Sequence, residues 1–114
     1  MPYINTVTTV KIEENKRERL TKEYGKAIEL IPGKSEKWLM LRFEDGADLA
    51  FGGDRKDGAA IVEVELLGEA DGIYLDRLTG KICEILSGEL GIDINRIYVK
   101  YFSTKHWGCG GHNF

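Results

Sequence analysis

Arg19-Leu20-Thr21 returns 58 residues later as Arg77-Leu78-Thr79, and the same offset aligns far more than three letters. It lays Tyr24 on Ile82, Ala27 on Ile85 and Ile28 on Leu86, so two amphipathic helix faces share one phase. It places Gly33 on Gly91, Leu39 on Ile97, Leu41 on Val99 and Phe43 on Tyr101, and at the chain start Pro2 on Ala60 and Ile4 on Val62. A repeat of this kind limits the fold, because each copy must be one supersecondary unit that packs against the other.

The local patterns identify the unit. Residues 2–10 are rich in β-branched and aromatic side chains and read as a strand. Leu20, Tyr24, Ala27, Ile28 and Ile31 then recur at helical spacing, and Pro32-Gly33 stops that helix. Trp38 to Phe43 reads as a second strand and Leu49 to Phe51 as a short apolar piece before Gly52-Gly53. Ile61 to Leu67 is a third strand, and Leu75, Leu78, Ile82, Ile85 and Leu86 form the next helix face, ending near Leu90-Gly91. Arg96 to Ser103 is a fourth strand, and a glycine-rich tail runs from Trp107 to Phe114. The expected fold is therefore α/β (α+β): a duplicated βαβ unit in one domain, residues 1–114, with repeats over about 2–58 and 60–114. Its four-stranded sheet carries both helices on one face. Trp38, Met40, Phe43, Val62, Val64, Tyr98 and Phe102 are too many apolar strand residues for two helices to cover, so the second face is expected to close against other copies of the chain.

Composition removes several function classes. The 16 basic and 19 acidic residues are well mixed and the net charge is -3, so no basic stripe points to nucleic acid. No apolar run approaches the roughly 20 residues of a membrane helix, and the first ten residues lack a secretory pattern, so the expectation is a cytoplasmic protein without membrane contact. Cys83 and Cys109 are too few and too far apart for a disulfide framework or a zinc site; Cys83 reads as a buried thiol. His106 and His112 lack acidic or thiol partners and read as surface residues, so no metal is expected. Gly108, Gly110 and Gly111 are followed by no helix that would make a phosphate cradle.

Three residues invite chemistry. Methionine is normally cleaved before proline, which would leave Pro2 as a free secondary amine at the start of a strand. A terminal amine titrates near 8, and an apolar pocket or a nearby cation lowers that value and makes a usable base. Proline is also well suited simply to begin an edge strand. Lys34 follows the helix stop, where a lysine serves either the helix dipole or a substrate carboxylate. Lys100 sits inside the fourth strand on the face it shares with Tyr98; it either faces solvent or lines an anion pocket.

Met1-Pro2, Gly33-Lys34, Ala50-Phe51-Gly52-Gly53, Arg96-Ile97-Tyr98-Val99 and the tail from Gly108 to Phe114, in this order over essentially the whole chain, resemble the macrophage migration inhibitory factor family. The resemblance implies a homotrimer and cofactor-independent keto–enol tautomerisation of small α-keto acids such as phenylpyruvate. In that reading Pro2 is the catalytic base and Lys34 binds the substrate carboxylate. Tyr3 and Leu67 line the apolar wall, and Tyr98 arrives from the neighbouring subunit. Trp107 stands where the family has a small aliphatic residue, Cys109 where it often has an aromatic one, and Lys100 where it can have asparagine, so these three would shape the pocket and its charge. Ala59 and Val62 replace the Cys-x-x-Cys pair of the mammalian members, which removes any thiol-oxidoreductase chemistry of that pair. The resemblance also implies an alternative, a catalytically silent cytokine-like protein that reaches a receptor by a non-classical export route. Dehalogenase or hydratase chemistry would need an acid or arginine to activate water, and Arg42, Glu63 and Glu65 read instead as strand-surface charges.

Overall fold

Why the chain doubles back on itself is visible in its strand pairing. The computed structural model describes residues 1–114. β1 (Pro2–Thr8), α1 (Glu14–Ala27) and β2 (Met40–Glu44) form the first unit; β3 (Ala60–Leu67), α2 (Gly72–Leu90) and β4 (Ile97–Thr104) form the second. Within each unit the two strands are parallel, and the units meet through the antiparallel pair β1–β3, giving the sheet order β2-β1-β3-β4. The starts of α1 and α2, Glu14 and Gly72, are related by the sequence offset itself.

Alternation decides which side of the sheet is buried. Ile4, Thr6 and Thr8 of β1 and Ala60, Val62, Val64 and Leu66 of β3 point at the helices and are buried. The helices answer with Leu20, Tyr24, Ala27 and Ile28 from the first unit and Leu78, Ile82, Ile85 and Leu86 from the second, in one continuous core. Polar groups in this layer are paired, as burial requires. The Tyr24 hydroxyl lies 2.8 Å from Thr6 Oγ1. In the second unit the tyrosine is on the strand instead: the Tyr101 hydroxyl lies 2.7 Å from Thr79 Oγ1 and donates to the Leu75 carbonyl at 2.9 Å. Burial pushes both phenol pKa values up, so both remain donors.

Three expectations shift by a few residues or by a face. The second strand begins at Met40, because Trp38 closes a 3₁₀ turn (Glu36–Trp38) that lies against α1. Gly25 permits that approach: a Cβ there would sit 1.9 Å from Glu36 Oε2. The first strand ends at Thr8, where the Thr8 hydroxyl turns to the Ala59 carbonyl at 2.8 Å. Of the apolar strand residues expected to exceed the helices' reach, Val62, Val64 and Phe43 do face the helices. Met40, Tyr98 and Phe102 face away and are 68%, 61% and 50% exposed. The tail folds as a hairpin, β5 (Gly108–Cys109) with β6 (His112–Asn113).

Arg96, just before β4, fastens the loop between β2 and β3. Its Nε donates to the Gly58 carbonyl at 2.9 Å, and its Nη2 donates to the Asp54 and Asp57 carbonyls, each at 3.2 Å. The guanidinium also lies 5.3 Å from the Phe51 ring centre and 3.3 Å from Asp54 Oδ2. Arg96→Ala is expected to strand these carbonyls and lower stability by about 2–3 kcal/mol, measured as an earlier urea midpoint. An unchanged midpoint would show that water satisfies the loop equally well.

Candidate active site

The N-terminal end of β1 is where the structure gathers the residues singled out by sequence. Pro2 is buried, and the Leu67 N–H donates to the Met1 carbonyl at 3.0 Å, tying the start of the chain to β3. Beside it opens a cleft of about 570 Å³ lined by Pro2, Tyr3, Trp107 and Cys109, four of the expected site residues. The hairpin delivers the last two: the Phe114 N–H donates to the Trp107 carbonyl at 3.0 Å and closes the tail on itself.

Lys34 reaches the same place from the other side. Gly33, at φ +83, makes the turn after α1 that an L side chain would strain. The Lys34 amide then donates to the Ile31 carbonyl at 3.1 Å, and its Nζ donates to the Leu67 carbonyl at 2.9 Å. Its half-buried ammonium has no carboxylate partner and stands against the α-amino group of Met1. That amine's pKa is lowered, first by burial and then by the Lys34 charge and contact. Leu67 meets the site through its backbone, its N–H on the Met1 carbonyl and its carbonyl under the Lys34 ammonium. Its side chain takes the outward phase of β3 opposite Thr104 and is not among those lining the cleft.

Two expected residues lie elsewhere in the same chain. Tyr98 pairs with Ile61, whereas Pro2 pairs with Leu66, so Tyr98 is at the far end of the sheet, roughly 16 Å away by strand rise. Its ring packs 5.0 Å from that of Phe51. Lys100 stands in the middle of the outer face, its Nζ 3.4 Å from Glu63 Oε2 and 5.3 Å from the Phe102 ring centre. Glu63 also accepts from Asn5 at 3.4 Å, and Asn5 accepts from Arg42 at 3.0 Å, so a polar row crosses all four strands. Lys100 therefore does not enter the cleft of its own chain.

The cleft also contains residues that the sequence reading passed over: Trp38, Met40 and Glu65. By sequence Trp38 begins the second strand and Glu65 is a strand-surface charge; the structure puts Trp38 at the end of the 3₁₀ turn and both residues in the cleft wall. The signal for Glu65 was present in the alternation of β3, because Leu67 and Glu65 share the outward phase.

A duplicated βαβ unit with proline starting the first strand, a lysine close to the chain start and an aromatic cleft beside the proline is the tautomerase-type arrangement. The family model of macrophage migration inhibitory factor (MIF) matches residues 1–113. The structure superposes on Leishmania major MIF2 with a TM-score of 0.93 at 37% identity, covering 100% of this chain and 97% of that one. It superposes on the migration inhibitory factor homologue of Prochlorococcus marinus with a TM-score of 0.81 at 25% identity, covering 98% of each. Macrophage migration inhibitory factor of Xenopus laevis is 28% identical over 97 residues, 83% of this chain and 80% of the relative. The chain belongs to the macrophage migration inhibitory factor family.

Proposed function

We propose that the protein is a cofactor-independent keto–enol tautomerase of α-keto acids, phenylpyruvate being the test substrate, with the Pro2 nitrogen as general base once Met1 is removed. The observation that carries this reading is the setting of the chain start: Pro2 is buried and lines an aromatic cleft, and the α-amino group of Met1, one residue ahead of it, has its pKa lowered by burial and by Lys34. In the keto-to-enol direction the Pro2 nitrogen takes a proton from the carbon next to the carbonyl. Electron density moves to the carbonyl oxygen, and the prolinium returns the same proton to that oxygen. Lys34 holds the carboxylate and opposes the growing negative charge. Tyr3, Trp38 and Trp107 exclude water and present apolar faces to the aryl group.

The working form in this reading is a homotrimer. The exposed Met40, Tyr98 and Phe102 on the face away from the helices support association. Tyr98, too far from its own Pro2, would then serve a neighbour's cleft. Native mass spectrometry reports subunit count and Met1 removal together, and ultraviolet absorbance follows phenylpyruvate ketonisation. A Met1-free trimer that turns over phenylpyruvate is expected. A Met1-free trimer with no turnover would leave the non-catalytic binding reading in its place.

A further inference from the structure

Glu65 is the charged residue of the cleft that the proton transfer leaves unused. It occupies the outward phase of β3, opposite Tyr3 on one side and Phe102 on the other, and lines the cleft beside Pro2. The neighbouring outward carboxylate, Glu63, is engaged by Lys100 and Asn5. Glu65 is engaged by no cation of the chain. Lys34 likewise lacks an acidic partner, its Nζ resting on the Leu67 carbonyl. The cleft thus presents a carboxylate without a cation partner and the indole of Trp107 among its walls, with Lys34 against the Met1 amine at its edge; the Trp38 indole already faces Lys37 Nζ, 5.2 Å from its centre.

That pattern is complementary to a zwitterion. A carboxylate at the Lys34 end satisfies the ammonium. A positive charge at the other end meets Glu65 and the negative face of the Trp107 indole, which attracts cations and tolerates their partial desolvation. A second negative charge there would face the unpaired Glu65 carboxylate. We propose that Glu65, together with Trp107, selects α-keto acids whose far end carries a positive charge, ammonium or guanidinium, over those with a neutral or anionic end. This rests on the reading above, that Lys34 takes the keto-acid carboxylate in this cleft.

The test compares 4-(aminomethyl)phenylpyruvate with 4-carboxyphenylpyruvate in the Met1-free protein and in its Glu65→Gln variant. The quantity read is the ratio of the two kcat/KM values within each protein, so that any general loss of activity cancels. Wild type is expected to favour the cationic compound by about tenfold, and the ratio to fall by about fivefold or more in Glu65→Gln. The preference should also shrink as salt is raised. The same ratio in both proteins would overturn the proposal. Calorimetric titration of the same two compounds separates the two readings. If neither is turned over but the cationic one binds tighter in wild type and not in Glu65→Gln, the selectivity stands and the catalytic reading fails. Equal affinities in both proteins would overturn the selectivity irrespective of turnover.

Discussion

Protein that retains Met1, or that carries one extra residue ahead of Pro2, is expected to lose phenylpyruvate tautomerisation almost completely while keeping its fold. In either form the Pro2 nitrogen is a tertiary amide whose lone pair is delocalised into the carbonyl, so it cannot accept a proton near neutral pH. General acid–base catalysis contributes about 10²–10⁴-fold, and the loss should fall in that range. The fold has no reason to change, because Pro2 has no N–H to give to the sheet and the core below it is built from Ile4, Val64 and Leu66. Pro2→Ala differs in an informative way. Removal of Met1 before alanine leaves a primary amine on the same strand, which retains some basicity but lacks the fixed φ that aims the proline nitrogen. Its activity should lie between processed wild type and the capped forms. Circular dichroism and native mass spectrometry check the fold. If the capped forms turn over at the processed rate, the base is another group.

The layer order and the core were legible in the sequence because both rest on periodicity. The helix positions Leu20, Tyr24, Ala27 and Ile28, and Leu78, Ile82, Ile85 and Leu86, announce their faces at 3.6-residue spacing, and all are buried. Boundaries were less legible where apolar residues continue past the end of an element. Trp38 and Leu39 extend the apolar run of β2 upstream, yet the chain there turns against α1, and only the gap at Gly25 reveals why. The site was legible where a residue type is unusual for its place, as with proline at position 2 and lysine after Pro32-Gly33. It was hidden where the type is ordinary. A glutamate on a strand reads as a solvent charge, and neither the pairing of Glu63 with Lys100 nor the solitude of Glu65 is visible until the β3–β4 register is known.

The duplication also explains why only one end of the sheet has a cleft of this kind. The residue related to Pro2 by the repeat is Ala60, an internal residue with no terminal amine. The position related to Lys34 is Ile92, which is buried in the core instead of reaching across a strand end. One unit has kept the chemistry-bearing positions at its strand start, and the other has filled the same positions with apolar packing. In place of a second amine, the equivalent end of the second unit has Arg96 holding the loop on which the Tyr98–Phe51 contact rests. The two units therefore share a scaffold and differ in role.

Lys34→Met is expected to lower kcat/KM for phenylpyruvate by about 10–100-fold and to move its acidic limb to higher pH. The first effect follows from removing a charge-assisted contact to the substrate carboxylate, worth about 1.5–3 kcal/mol. The second follows from the sign of the coupling. The base works only when unprotonated, so the rate rises as pH passes upward through the amine pKa. Burial and the Lys34 ammonium both lower the pKa of the Met1 amine, with burial the larger cause, and the Pro2 amine freed by Met1 removal is expected to feel the same two influences. The limb of the wild-type profile is therefore expected below pH 8. Taking away the ammonium removes one lowering cause and leaves the other, so the limb should rise without reaching the free-amine value. Lys34→Arg keeps the charge and should keep the limb near its wild-type position, while its bulkier planar group changes KM. A Lys34→Met profile with an unmoved limb and a raised KM would mean that the lysine acts on the substrate alone. A moved limb with an unchanged KM would mean that it acts on the base alone and that the carboxylate is held by another group.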